Sequence, residues 1–167
     1  MRGRAVSAAS SAVIECLKTQ DVSMLRELNQ LFGRAFDDAD SYGGNPPSDD
    51  YLNDFLAKEQ NIVLVALHQK TVIGGLVAYA LDKFEMARRE YYIYDLAVGE
   101  QYRRQGVATA LIGRLCELAG SNGGWVVYVQ ADESDPPAIA LYRKLGKGEK
   151  VLHFDIPVSF RHLHNRQ

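Results

Sequence analysis

The fold is decided by the stretch Tyr91-Tyr92-Ile93-Tyr94-Asp95-Leu96-Ala97-Val98, followed after a short turn by Arg103-Arg104-Gln105-Gly106-Val107-Ala108-Thr109-Ala110. The first eight residues are mostly apolar and rich in aromatic and branched side chains, which predicts a strand in the interior of a sheet. From Val107 onward, Val107, Ala108, Leu111, Ile112, Leu115, Cys116 and Leu118 recur at helical spacing, predicting an amphipathic helix that ends near Gly120. Trp125 to Ala131 (WVVYVQA) then reads as another buried strand. A strand, a helix and a second strand in that order imply parallel pairing through a crossover.

Upstream the pattern is different. Asn61 to His68 and Thr71 to Leu81 are strand-like runs separated only by Gln69-Lys70, which predicts an antiparallel hairpin. Lys83 to Arg89 is a charged connection. Ala12 to Leu17 predicts a short first strand. Asp21 stands as the N-cap of a helix from Val22 to Phe32, with Leu25, Leu28, Leu31 and Phe32 on one face and Gly33 as its stop. Phe36 to Ala57 reads as a polar loop around Gly43-Gly44-Asn45-Pro46-Pro47, leading into a short helix near Asp50 to Lys58. That helix buries Tyr51, Leu52, Phe55 and Leu56, with Asp49 or Asp50 as its cap. Downstream, Pro136 to Leu145 predicts a helix and Val151 to Ile156 a last strand. The order β-α-α-β-β-β-α-β-α-β defines an α/β (α+β) chain, a mixed central β-sheet flanked by helices.

With 167 residues, 47% hydrophobic and 24% charged, the composition is that of one globular domain. The domain is expected over 12–167, after a loose Ala/Ser-rich leader at 1–11 that lacks the apolar core of a secretory signal. A net charge of -2 argues against a general nucleic-acid binder. No apolar run approaches the roughly 20 residues needed to span a bilayer. A soluble cytoplasmic protein with no nucleic-acid or membrane partner is the expectation. Cys16 and Cys116 are too few for a disulfide framework, and Cys116, inside its apolar stripe, reads as core. His68, His153, His162 and His164 show no metal-ligand spacing, so no metal is expected.

A helix N-terminus leaves backbone N–H groups without partners and carries partial positive charge, so it attracts anions. Gly106 and Ala108 keep side chains out of the way there. Arg103 and Arg104 oppose the helix dipole, which an anion explains better than helix stability does. The competing reading is an ordinary helix start with solvated arginines. The pattern Arg-x-x-Gly-x-Ala after a strand resembles the acyl-CoA-binding motif of the GCN5-related N-acetyltransferase (GNAT) superfamily. Ala138-Ile139-Ala140-Leu141-Tyr142-Arg143-Lys144-Leu145-Gly146 is similar to its A-x-x-L-Y-x-K-x-G-F signature. Two positions depart: Lys147 stands where most members carry Phe, and Asp135 where many carry Asn. Four further blocks, Phe32 to Asp38, Tyr91 to Val98, Tyr128 to Asp132 and His153 to Ile156, resemble the gentamicin-modifying aminoglycoside 3-N-acetyltransferases.

That resemblance implies acetyl-CoA as co-substrate and an aminoglycoside as acceptor, with acetyl passing to its 3-amino group. Implied contacts to the cofactor come from Leu96, Ala97, Val98, Arg103, Arg104, Gln105, Gly106, Val107, Ala108, Thr109 and Asp135. Tyr142 matches the superfamily's general acid, and a homodimer is common among members. The residues add their own argument about the acceptor. Asp37, Asp38, Asp40, Asp49, Asp50 and Asp54 fill 36–57 without one Lys or Arg, and Asp132, Glu133 and Asp135 follow the late strand. Such carboxylates would hold the ammonium groups of a polycation, although aspartate also serves turns and helix caps. Asp38, Tyr94, Asp132, Glu133 and Asp155 are the candidate acceptor contacts. Asp155 stands out because a carboxylate inside an apolar strand needs a partner or faces a cleft. An ammonium must lose a proton before it attacks a thioester. The candidate bases are Asp95 and Glu90, with Asp95 preferred because it interrupts an apolar run. Asp95 would share a face with Ile93 and Ala97 unless a bulge intervenes. Acetylation of a peptide N-terminus, a lysine or a polyamine stays open, as does a non-catalytic acyl-CoA-binding module.

Overall fold

A computed structural model describes residues 12–156. The leader expected at 1–11 and the histidines His162 and His164 lie outside them. The chain divides into two compact units, one reaching Gln130 and the other starting at Ala131. In the first unit, β1 (Val13–Cys16), β2 (Asn61–His68), β3 (Thr71–Asp82), β4 (Arg89–Val98) and β5 (Gly124–Val129) form one sheet in the order β1-β2-β3-β4-β5. The first three pairings are antiparallel, and β4 runs parallel to β5. The mixed sheet and the hairpin therefore appear as the sequence predicts. Gln69 and Lys70 both take positive φ, 49° and 68°. That is the signature of a two-residue I′ turn, formed here without the usual Asn or Gly and at a cost of about 1 kcal/mol per residue.

Two helices cover the sheet. Helix α1 (Val22–Ala35) buries Leu25, Leu28, Leu31, Phe32 and Gly33. They join one cluster with Val63, Val65, Val77 and Ala97. A Cβ built on Gly75 would lie 2.6 Å from Leu28 Cδ1 and 2.6 Å from the Leu64 carbonyl oxygen. Gly75 thus lets α1 rest on the backbone of β3. Helix α4 (Val107–Ser121) presents Val107, Leu111, Ile112, Leu115 and Ala119 as its buried stripe. Helix α3 (Asp49–Ala57) stands where the sequence predicts a short helix, and a further helix, α2 (Ala39–Gly43), stands in the segment read as loop.

The second unit contains α5 (Pro136–Leu145), on the predicted residues. Residues 151–156 form no strand and are exposed, which corrects the expected last strand. Branched and aromatic residues favour extended backbone, but a strand exists only where a neighbour satisfies its N–H and C=O groups. Three smaller corrections follow from packing. Gly33 does not stop α1, which continues to Ala35. Strand β5 is not buried: Trp125, Val126 and Tyr128 are exposed, as befits a strand at the sheet's edge. Cys116 is exposed rather than core, lying one position past Leu115 and off the buried stripe.

Candidate active site

The pairing of β3 with β4 carries one irregularity. Ala78 faces Ile93 and Val77 faces Asp95, so Tyr94 is an extra residue without a partner on β3. This is a β-bulge, and it changes which side of the sheet each later residue faces. Directly opposed residues share a face, and Val77 belongs to the cluster under α1. Asp95 therefore points to the α1 side, as does Ala97. Ile93, opposite Ala78, points the other way. The bulge thus separates Asp95 from Ile93 and lifts the carboxylate out of the layer that α4 covers.

Above Asp95, α1, α2 and α3 form a small cavity of about 180 Å³, lined by Arg26, Asn29, Tyr42, Tyr51, Phe55 and Tyr79 with Asp95. Its walls are held by polar contacts. Asp38 caps α2 by accepting from the Ser41 N–H at 3.0 Å, and Ser48, rather than Asp49 or Asp50, caps α3 through the Tyr51 N–H at 3.2 Å. Arg26 is paired with Asp49 and donates to the Pro47 carbonyl at 2.9 Å, tying α1 to the start of α3. Asn29 donates its side-chain amide to the Tyr42 carbonyl. The Tyr42 hydroxyl donates to Asp95 Oδ1 at 2.8 Å. Burial pushes the Asp95 carboxyl above its ordinary value, and the Tyr42 hydrogen bond opposes that rise. Burial and then the bond to Asp95 push the Tyr42 phenol up, so it stays a donor at any working pH.

Aromatic rings continue from the cavity across the same face. Phe55 meets Tyr79 at 6.3 Å between centroids, Tyr79 meets Tyr94 at 5.9 Å, Tyr94 meets Tyr92 at 5.8 Å, and Tyr92 stacks on Tyr128 at 5.0 Å. Tyr94 is 63% exposed. Glu90 belongs to this face through its pairing with Leu81, but Arg88 holds it at 3.3 Å.

At the other end of β4 the sheet opens. Strand β5 pairs with β4 only as far as Ile93–Val129. Along Tyr94 to Val98 the β4 edge is therefore left without that neighbour, which brings Leu96, Ala97 and Val98 into a strip with backbone groups to offer. The chain then turns through residues 99–106 into α4. Arg104 (φ 60°) and Gly106 (φ 88°) are both left-handed, and no side chain caps α4, whose first turn contains no acidic residue. Arg103 Nε donates to the Val98 carbonyl at 3.1 Å, tying the loop to the strand end. Successive backbone N–H groups in such a turn, with arginines beside them, make a concave anion site. Gln105, Val107, Ala108 and Thr109 belong to this segment.

The remaining predicted residues lie in the second unit. Asp135 caps α5 through the Ala138 N–H at 3.1 Å. Tyr142 is half-buried on α5, and burial followed by the Asp135 charge pushes its phenol up. Asp132 accepts from the backbone and side chain of Ser134 at 2.8 and 2.7 Å, and Glu133 is exposed beside it. Asp155 is not inside a strand: its side chain is 95% exposed and pairs with His153 at 3.0 Å. Among the described residues no cluster of three or more His, Cys, Asp or Glu is arranged to hold a metal, and no helix is long and apolar enough to cross a membrane. Sequence inspection missed Tyr42, Tyr79, Arg26 and Asn29. Tyr42 had no signal at all, being a lone aromatic in a Gly/Asp-rich segment.

A mixed sheet opened beside a bulged strand, with an uncapped, arginine-flanked helix following it, is the architecture of an acyl-CoA-dependent acyltransferase fold. The chain matches the Acetyltransferase (GNAT) family over residues 25–147 and belongs to it. Among solved structures, an aminoglycoside acetyltransferase from an uncultured soil metagenomic sample is 49% identical, with a TM-score of 0.88 over 89% of this chain and 99% of that one. Another aminoglycoside acetyltransferase of the same kind of source, in complex with sisomicin, is 30% identical, with a TM-score of 0.83 over 89% of this chain and 97% of the other. The [ribosomal protein bS18]-alanine N-acetyltransferase of Escherichia coli is 30% identical over 84 residues, 50% of this chain and 55% of that protein. The chain spans roughly a third to a half of the length of the curated relatives it matches.

Proposed function

We propose that this chain acetylates an aminoglycoside, moving acetyl from acetyl-CoA to the 3-amino group of a gentamicin- or sisomicin-type acceptor and so conferring resistance. The observation that carries the reading is the Asp95 carboxylate, turned by the bulge into an aromatic-lined cavity beside the opened edge of β4. The likeness to two aminoglycoside acetyltransferases along almost their whole length supports the same acceptor class.

The residues after β4 suit the pyrophosphate of acetyl-CoA. The left-handed Gly106, the free helix end and Arg103 and Arg104 would hold it, with Gln105, Val107, Ala108 and Thr109 contributing the surrounding backbone. Acetyl-CoA supplies the activated acetyl group when bound. N–H groups of Leu96 to Val98 would hold the thioester oxygen as charge develops on it. Asp95 removes a proton from the acceptor ammonium. Glu90, already engaged by Arg88, is the lesser candidate. From its match to the family's tyrosine alone, Tyr142 is assigned the return of a proton to the departing sulfur. On the acceptor side, the exposed face of Tyr94 suits a cationic amino sugar. Asp132, Glu133 and Asp155 offer further carboxylates, while Asp38 is occupied with its cap.

The test is acetyl-CoA consumption with sisomicin, gentamicin, kanamycin, spermidine and an alanine-terminated peptide in parallel, with the product's acetylation position read by NMR. Turnover on the aminoglycosides, acetylated at the 3-amino group, is expected. Asp95→Asn should lower kcat about 100-fold, the usual contribution of a general base. Turnover confined to the peptide would replace the drug with a protein N-terminus.

A further inference from the structure

We infer that Tyr42 is the positioning residue for the Asp95 base, and that α2 exists in this chain to deliver it. The inference rests on the acyl-transfer reading above and adds to it a residue no part of that reading requires. Tyr42 and Asp95 are 53 positions apart, and the 2.8 Å contact is the one hydrogen bond to this carboxylate among the described residues. It engages Oδ1 and leaves Oδ2 for an incoming ammonium. The proton transfer then balances simply: the N–H bond of the ammonium breaks, an O–H bond forms at Oδ2, and a neutral amine remains to attack.

Four kinds of contact place Tyr42 and the helix that carries it. A Cβ on Gly33 would come within 3.2 Å of Tyr42 Cβ, so the missing side chain there gives Tyr42 its seat. Phe32 and Phe36 pack against the ring at 6.0 and 5.6 Å. Asn29 binds its carbonyl, and Asp38 caps the helix that carries it. A five-residue helix held from four sides around one tyrosine hydroxyl is more than connection requires. The loop's acidic character, read from sequence as attraction for a cation, in this part serves to fix a hydrogen-bond donor.

The groups facing Asp95 are Tyr42 from α2 with Asp38 behind it, Tyr79 from β3, Tyr92 and Tyr94 from β4, Tyr51 from α3, and Arg26 from α1, already paired with Asp49. The hydroxyl of Tyr42 favours the ionised carboxylate directly. Removing it should make the base harder to ionise, so the acid limb of the rate profile moves to higher pH.

The experiment is Tyr42→Phe in the full chain, which keeps the ring between Phe32 and Phe36. The acid limb of kcat/KM for sisomicin is expected to rise by about one pH unit. The same variant should lower kcat about tenfold with KM for acetyl-CoA unchanged. Carbon-13 NMR titration of the Asp95 carboxyl should show the same upward shift in the unliganded protein. An unmoved limb and an unmoved carboxyl titration would overturn the inference even if activity fell, since a merely structural defect lowers activity without displacing a pKa. A shifted carboxyl with no turnover on any aminoglycoside would uphold the positioning contact and sink the acceptor assignment instead. Should Tyr42→Phe fail to fold, Asp38→Ala loosens the same helix from its exposed end. It should move the Asp95 titration in the same direction by a smaller step, and no movement counts against the inference.

Discussion

Helices α3 and α4 begin in opposite ways. Ser48 closes the start of α3 with its hydroxyl, and Asp49 and Asp50 fill its first turn, where negative charge suits the dipole. Helix α4, the longest in the described chain, begins at a left-handed Gly106 with no capping side chain, no acid in its first turn and two arginines before it. The first helix end is finished by its own sequence; the second is left for something else to finish. Local stability is given up at the helix end proposed to hold the cofactor's phosphates and retained at the end that borders the cavity.

The largest effect that would test this contrast comes from giving α4 the chemistry of α3. Gly106→Asp places a carboxylate over the open N–H groups and strains a backbone at φ 88°. Acetyl-CoA affinity measured by calorimetry should fall about 100-fold, combining lost anion contacts with repulsion. Unchanged affinity would break the comparison. Arg104→Ala removes charge but leaves the N–H groups, so KM for acetyl-CoA should rise about tenfold with kcat little changed. High salt should narrow the gap between variant and parent. The smallest effect belongs to α3: Ser48→Ala should cost about 1 kcal/mol in denaturant unfolding and leave acetyl-CoA binding alone. Loss of cofactor affinity in that variant would mean the two helix ends are not separable.

Much of this was visible in the residues because it is local. The hairpin at Gln69-Lys70, the α4 stripe and helix α5 each depend on spacing within a few positions. What escaped depends on distant partners. Val151 to Ile156 has the composition of a strand, yet nothing in a composition reports whether a neighbour pairs with it. Gly33 looked like a helix stop, whereas its role is to admit Tyr42, a contact nine residues away that no periodicity encodes. Tyr42 itself reaches Asp95 across two layers. Cys116 was misjudged by a single step around a helix, since 100° of rotation separates it from Leu115. The possibility of a bulge in the Tyr91 to Val98 strand was foreseeable; which residue would be the extra one required the register.

That extra residue acts as a change of parity. Before Tyr94, odd-numbered positions of β4 turn toward the hydrocarbon layer under α4; after it they turn toward α1. Were Tyr94 instead paired on the ladder like its neighbours, the strand's composition would be unchanged and every address beyond it would reverse. Asp95 would be delivered among Leu111 and Leu115, and the chain would have to choose between drowning a carboxylate in oil and abandoning the register. Reactivity here is a matter of counting, one residue more than the ladder can use.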